Sequence, residues 1–103
     1  MENSYQVYVK PTAIKRLAAH VEFLARVSED AALLLIEDYY ESLKFLEGSP
    51  KSCPVYIPKI HIDTELRYKL FGKRYRIVFE IVEKNVYALD IQDCRQDFAN
   101  NLI

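Results

Sequence analysis

The chain has 103 residues, half of them hydrophobic, with only two Gly and four Pro. That length allows one folded domain with one modest core, and the composition excludes disordered and collagen-like classes. The formal net charge of −1 and a sequence pI of about 6.1 exclude a surface that is basic throughout.

The longest uninterrupted apolar run, Ala31 to Ile36, is far too short to span a bilayer. Met1-Glu2-Asn3-Ser4 lacks the basic and apolar regions of a signal peptide, so a cytoplasmic protein without membrane contact is expected. Cys53 and Cys94 stand in no CxxC or Cys/His ligand spacing, which reads as two free thiols and predicts no metal site and no cofactor. His20 reads as an exposed helical residue and His61 as a loop residue. The small net charge hides a segregation. From Glu22 to Glu47 there are seven acids against two bases, whereas from Arg67 to Arg76 there are five bases and no acid. Such an imbalance speaks to partners more than to fold.

Tyr5 to Lys10 alternates, with Tyr5, Val7 and Val9 on one side and Gln6, Tyr8 and Lys10 on the other, which predicts a half-buried strand. Pro11-Thr12 ends it and opens a helix, where a proline near the start costs no hydrogen bond. The stripe Ile14, Leu17, Val21, Leu24 carries that helix. Ser28 is the expected N-cap of a second, with Glu29 and Asp30 complementing its dipole. Its predicted stripe is Ala32, Leu33, Ile36, Tyr40, Leu43 and Leu46, stopped by Gly48-Ser49-Pro50. For Tyr39-Tyr40, packing is expected, one ring inside and its neighbour at the rim. The short link between the helices predicts an antiparallel hairpin. Residues 48–64 read as irregular, apart from a short edge strand at Val55-Tyr56-Ile57.

Leu66–Phe71, Arg74–Val82 and Val86–Gln92 read as an antiparallel meander. A two-residue Gly72-Lys73 turn would set Phe71 opposite Arg74, Lys69 opposite Arg76, Tyr68 opposite Ile77 and Leu66 opposite Phe79. One face then becomes wholly apolar. For the second turn, a two-residue Lys84-Asn85 loop would set Asp90 against Phe79 in the core, which is costly for a carboxylate. A three-residue loop, Glu83-Lys84-Asn85, sets Leu89 against Phe79 and Ile91 against Ile77, with Asn85 left-handed. Tyr87 falls on the core face in that register. The other face carries Arg67, Lys69, Arg74 and Arg76, with Val78, Glu80, Asp90 and Gln92 further along. Facing like charges destabilise a sheet, so this face is expected to meet an anion such as a phosphate, RNA or an acidic peptide. The expected fold is α+β: an N-terminal strand, an antiparallel helical hairpin, then a three-stranded antiparallel meander with the helices on one face, in one domain spanning 1–103.

Arg67-Tyr68-Lys69-Leu70 followed by Arg74-Tyr75-Arg76-Ile77-Val78-Phe79-Glu80-Ile81 resembles the RelE/ParE superfamily of type II toxins. The order of elements from Tyr5 to Leu102 agrees, and Ile91 to Asp97, with Arg95 two residues before Asp97, is similar to the ParE-like strand and tail. The resemblance implies a small toxin neutralised by a cognate antitoxin in a hetero-oligomer, one whose relatives stabilise plasmids. RelE-like members cut mRNA on the ribosome; ParE-like members act on DNA gyrase. For a nuclease it implies Arg67, Lys69, Arg76 and Arg95 as catalytic or phosphate-contacting bases. Together with Arg74 these form the candidate functional surface. The RelE-like tail Tyr has Asn101 in its place and no His follows Arg95, so the acid/base that ribose cleavage needs is missing. With the near-neutral charge, this departure favours a ParE-like gyrase inhibitor over the alternatives, a ribosome-dependent endonuclease or a non-toxic relative serving as an interaction module. The terminal Leu102-Ile103 is expected to pack back on the core.

Overall fold

The computed structural model describes residues 4–95 and residue 103. Strand β1 (Gln6–Val9) leads into helices α1 (Pro11–Ala25) and α2 (Glu29–Gly48). A 3-10 turn at Pro50–Ser52 precedes β2 (Val55–Tyr56), β3 (Leu66–Phe71), β4 (Tyr75–Val82) and β5 (Asn85–Asp93). The sheet runs β1-β5-β4-β3-β2, with β1 parallel to β5 and the other pairs antiparallel. This is the expected α+β arrangement of strand, helical hairpin and meander, extended by the short edge strand β2. The parallel pairing closes the sheet: β1 lies beside the last strand, and the helical hairpin carries the chain to the opposite edge.

The helix starts are those the sequence predicts. Pro11 stands at the head of α1, and Ser28 Oγ accepts the Ala31 N–H at 3.1 Å at the head of α2. The buried stripes are rotated from the expected ones. In α1 the inward residues are Ala13 and His20, with Leu17, Val21 and Leu24 packed beside them, while Ile14 is half exposed. In α2 they are Ala32, Leu35, Tyr39, Ser42 and Leu46, while Leu33 and Tyr40 are exposed. A helix with apolar residues nearly all round leaves its orientation to tertiary packing. Of the tyrosine pair, Tyr39 is the inner ring, edge-on to Tyr40 and packed near Phe71.

Both hairpins differ from the sequence-derived register, and both for a physical reason. The first loop has three residues, so Phe71 faces Tyr75, Leu70 faces Arg76, Lys69 faces Ile77 and Arg67 faces Phe79. Gly72 at φ 58° and Lys73 at φ 70° make the reversal, and Arg74 N–H donates to Gly72 O at 2.8 Å. A Cβ at Gly72 would sit 2.8 Å from Leu35 Cδ1, so a larger residue would strain the left-handed turn and displace that leucine methyl. Arg74 lies in the loop, outside the strand. The extra loop residue inverts β3: Phe71 joins the helix-facing core, while Leu66 and Tyr68 turn to the other side. That side has an apolar layer of its own, with Tyr56, Leu66 and Val78 buried and Ile62, Tyr68, Leu89 and Ile103 packed on them. A reading with one apolar face puts β3 the wrong way round because the molecule has two.

The second hairpin turns on Glu83-Lys84, with Val82 facing Asn85 and Glu83, at φ 57°, taking the left-handed position expected of Asn85. Ala88, and not Leu89, therefore faces Phe79. A bulge follows: Asp90 faces Val78, Leu89 is left over, and Ile91 meets Ile77 as expected. The odd residue demanded by the core sits within the strand. Tyr87 consequently faces away from the helices, stacked on Tyr8 with ring centroids 5.3 Å apart, a correction to its core placement. Ile103 packs on the second cluster, away from the helices; Leu102 lies outside the described residues.

The rotated α2 face is testable by urea unfolding. Tyr39→Ala removes a buried ring and is expected to cost about 3–5 kcal/mol. Tyr40→Ala is expected to change stability by no more than about 0.5 kcal/mol.

Candidate functional site

Beyond Ala88 the strand β1 no longer covers β5: Lys10 N–H donates to Ala88 O at 3.0 Å, and the chain turns into α1. The uncovered edge needs other partners. His20 on α1 supplies one, and Arg16, one turn earlier, reaches the edge residue Asp90 through its side chain. His20 Nε2 lies 2.9 Å from Ile91 O, and since a carbonyl only accepts, that nitrogen carries the proton. Arg16 Nε donates to Asp90 Oδ1 at 3.1 Å. His20 is therefore buried, in contrast to the exposed residue expected from sequence. Its place in line with Ala13, Leu17 and Leu24 was a signal available in the spacing.

Asp90 begins a buried polar chain across the face away from the helices. Its carboxylate also accepts from Ile91 N–H at 2.9 Å and Gln92 Nε2 at 3.0 Å, and both Asp90 and Gln92 are fully buried. Gln92 Nε2 further donates to Tyr56 OH at 3.1 Å, and Tyr56 OH donates to Ile103 O at 2.6 Å. Gln92 Oε1 accepts from Arg76 Nε at 2.8 Å. The Arg76 guanidinium rests near the rings of Tyr56 and Tyr68, at 5.1 Å and 5.7 Å from their centroids. One guanidinium is thus fixed by a glutamine and two aromatic faces, an arrangement that orients it with little entropy left to lose. The alternation of β5 marks Asp90 and Gln92 as sharing this face, but their burial depends on Tyr56, which comes from a two-residue strand far away in sequence.

Arg95 lies at another end of the sheet. Its guanidinium forks onto Asp93, with Nε to Oδ1 at 3.2 Å and Nη2 to Oδ2 at 3.0 Å, and its backbone N–H reaches the same carboxylate at 2.9 Å. It borders a cleft of about 640 Å³ lined also by Arg16, His20, Phe23 and Tyr75. Burial alone would push the Asp93 carboxyl up, but the hydrogen bonds and charge of Arg95 outweigh it and hold its pKa below the ordinary value. Burial, reinforced by the Asp93 charge, pushes the Tyr75 phenol up.

The remaining bases do not join Arg76. Arg67 and Lys69 point to the helix side of β3, so the expected shared face for Arg67, Lys69, Arg74 and Arg76 is not formed. Arg67 donates to Cys53 O at 2.6 Å and to Glu65 at 3.1 Å. Lys69 Nζ lies 4.9 Å from the Phe45 ring centroid and donates to Leu70 O at 3.1 Å. Lys69 faces Ile77, so the predicted like-charge pair with Arg76 is absent. Both cysteines are free; Cys53 is buried, and burial pushes its thiol up against the opposing pull of Lys69 and Arg67. Asp97 and Asn101 lie outside the described residues.

No protein-family model matches the sequence, and no curated protein matches it significantly. Solved structures do match. One, titled as the chromosomal ParDE toxin–antitoxin system from P. aeruginosa, superposes with a TM-score of 0.67 at 15% identity, covering 89% of this chain and 98% of that one. A second, the archaeal RelE-RelB complex from Pyrococcus horikoshii OT3, gives a TM-score of 0.57 at 15% identity, covering 91% of this chain and 99% of that one. The chain has the RelE/ParE fold. The likeness spans nearly the whole of both RelE/ParE-fold partners, so the expected architecture holds from β1 to β5. Among the described residues, no helix is long and apolar enough to cross a membrane.

Two outcomes follow from the buried charges. Arg16→Met leaves the fully buried Asp90 carboxylate without this cation and is expected to cost about 3–5 kcal/mol in urea unfolding. Because the Asp93 pKa is lowered in the fold, its contribution is present above the unfolded value of about 3.9 and is lost as pH falls through the folded value. Arg95→Gln is expected to move the Asp93 pKa upward, read by carboxyl NMR titration; an unmoved value would contradict the assignment.

Proposed function

We propose that this chain is the toxin component of a type II toxin–antitoxin system, ParE-like, acting on DNA gyrase in the cytoplasm and neutralised by a cognate antitoxin in a hetero-oligomer. The observation that carries the proposal is the separation of the bases within a RelE/ParE fold. Hydrolysing RNA through its own ribose needs several groups around one phosphate: a base for the 2′-OH, cations for the developing charge, and an acid for the leaving oxygen. Here Lys69 and Arg76 lie on opposite faces of the sheet, and each of Arg67, Lys69 and Arg76 is already engaged. Such an arrangement suits recognition of a protein surface better than in-line chemistry. The near-neutral charge agrees, since a ribosome-directed nuclease gains its affinity from positive excess.

We assign recognition to two separate points, Arg76 on the face away from the helices and Arg95 at the cleft beside α1, with Arg74 exposed in the β3–β4 loop two residues before Arg76. Arg76 is held rigid by Gln92 and the tyrosine rings, and Arg95 by Asp93, so both are preorganised for a partner's acidic or carbonyl groups.

The test is induced expression without antitoxin, comparing wild type with Arg76→Ala plus Arg95→Ala, with gyrase supercoiling measured on the purified proteins. Filamentation with intact mRNA and inhibited supercoiling is expected. The double variant, first checked for a folded thermal transition, is expected to weaken inhibition at least about tenfold, as losing about 1.4 kcal/mol of binding would. Normal supercoiling with no DNA-damage response would overturn the gyrase reading. Codon-specific cleavage on programmed ribosomes would make the chain a nuclease, and unchanged growth would make it a non-toxic interaction module.

A further inference from the structure

The cleft beside α1 holds two polar groups whose bonding is incomplete. His20 is 8% exposed, and its Nε2–H is committed to Ile91 O at 2.9 Å. That bond fixes the neutral tautomer and leaves Nδ1, with its lone pair, as an acceptor. Among the described residues no donor meets Nδ1, yet no buried polar side-chain atom lacks a partner, so Nδ1 opens onto the cleft that the ring lines. Arg95 is the second group. Asp93 takes its Nε and Nη2, and no other carboxylate among the described residues meets the outer edge between Nη1 and Nη2, on a side chain 54% exposed. That edge presents two parallel N–H groups, which match the two oxygens of a carboxylate.

The walls between these groups are aromatic. The buried Tyr75 ring and the His20 ring lie with centroids 5.3 Å apart, tilted by 53°, and Phe23 stands above them with 61% of its surface exposed. Ala19 lies between Arg16 and Phe23 on the same side of α1, so the helix wall recedes there to a methyl group. The volume of about 640 Å³ is that of a small-ligand site. Charge narrows the ligand. Arg16 and Arg95 line the cleft against Asp93, and the fully buried Asp90 held by Arg16 cancels their excess. Arg74, whose charge reaches the Tyr75 phenol, restores one positive charge. An excess of one suits a monoanion, whereas a phosphate dianion or a nucleic-acid strand asks for more.

We propose that this cleft binds a small aromatic carboxylate carrying a ring hydroxyl, with its carboxylate on the outer edge of Arg95, its ring against Phe23, and its hydroxyl donating to His20 Nδ1. Each part of the ligand answers one incomplete group. The carboxylate completes a guanidinium that Asp93 already holds in one orientation, so little freedom is lost on binding. The hydroxyl satisfies a nitrogen that Ile91 O keeps in one tautomer, which discriminates against an acid lacking it. The ring covers apolar surface of Phe23 that the fold leaves in water. Resting on the gyrase reading, such an acid competes with the partner for Arg95; its binding needs no toxin activity.

The experiment titrates the isotope-labelled full chain with para-hydroxyphenylacetate, following backbone amides and the His20 ring nitrogens by NMR. Saturable shifts at Ala19, Phe23 and Arg95, a displaced Nδ1 resonance and a Kd of about 1 mM or tighter are expected. Phenylacetate lacks the hydroxyl and para-hydroxyphenylethanol lacks the charge; each is expected to bind at least about tenfold more weakly. Ala19→Trp fills the cleft from an exposed helix position, and Arg95→Gln removes the outer edge. Each is expected to weaken binding at least about tenfold, with spectra establishing that both variants fold. No saturation by about 10 mM, equal binding with and without the hydroxyl, or full binding by either variant would overturn the proposal. So would tighter binding of phenyl phosphate than of phenylacetate, which would give the cleft to phosphoryl groups. Gyrase inhibition plays no part in this readout, so its failure leaves that reading standing, and normal supercoiling leaves this site standing.

Discussion

Leu89 has no residue across from it in β4, and the polar architecture of the molecule follows from that one extra position. Before it, β5 is in register with the tight Glu83-Lys84 turn and pairs in parallel with β1. After it, every side chain changes face relative to an unbroken ladder. Without the bulge, Asp90 would point among Phe79, Ile77 and the helices, where a carboxylate has no acceptable partner. With it, Ile91 fills that place, and Asp90 and Gln92 turn to the other side. The bulge also coincides with the end of β1, so the edge of β5 is released where α1 passes. His20 at Ile91 O and the Asp90 carboxylate at Ile91 N–H then do for the edge what a neighbouring strand does elsewhere, with Arg16 holding that carboxylate.

The second consequence is a sheet packed on both faces. The helices cover one side. On the other, Tyr56, Leu66 and Val78 make a smaller core in which Gln92 links Asp90, Tyr56 and Arg76. A buried amide with its donors and acceptor all engaged is favourable only when every member is in place, because an unpaired one costs more than the bond returns. The network therefore ties the position of Arg76 to the bulge, to β2 and to Ile103 at once. A base held this way is suited to recognition. It stands apart from Lys69 and Arg67, whose side chains are taken up by Phe45, Leu70 O, Cys53 O and Glu65 on the helix side.

Most of the fold was legible in the sequence because it rests on local signals: the alternation of Tyr5 to Lys10, the Ser28 cap, the Gly48-Ser49-Pro50 stop and the three runs of β-branched and aromatic residues. The RelE/ParE likeness rested on the order of these elements and on the stretches Arg67 to Leu70, Arg74 to Ile81 and Ile91 to Asp97. What was not legible depends on contacts between distant segments. Leu66-Arg67-Tyr68-Lys69-Leu70-Phe71 alternates equally well in either orientation, and only the apolar layer under Tyr56 decides between them. The choice between a longer loop and a bulge is invisible to a count of residues, since both shift the register by one. Asp90 and Gln92 were placed on the correct face, yet their burial was hidden, as was that of His20, which replaces a strand that β1 does not provide. Of the candidate bases, Arg76 keeps the face assigned to it, whereas Arg67 and Lys69 change sides with β3 and Arg74 moves into the loop.

The account stands or falls on the inversion of β3 against β4, which sets Lys69 and Arg76 on opposite faces. Close cross-strand contacts between α-protons mark the pairs that do not exchange hydrogen bonds, and NMR reads them directly in solution. The structure predicts such contacts between Leu70 and Arg76 and between Tyr68 and Val78. Contacts between Leu70 and Tyr75 and between Tyr68 and Ile77 instead would restore the two-residue turn, gather the bases on one face, and contradict the argument against a nuclease.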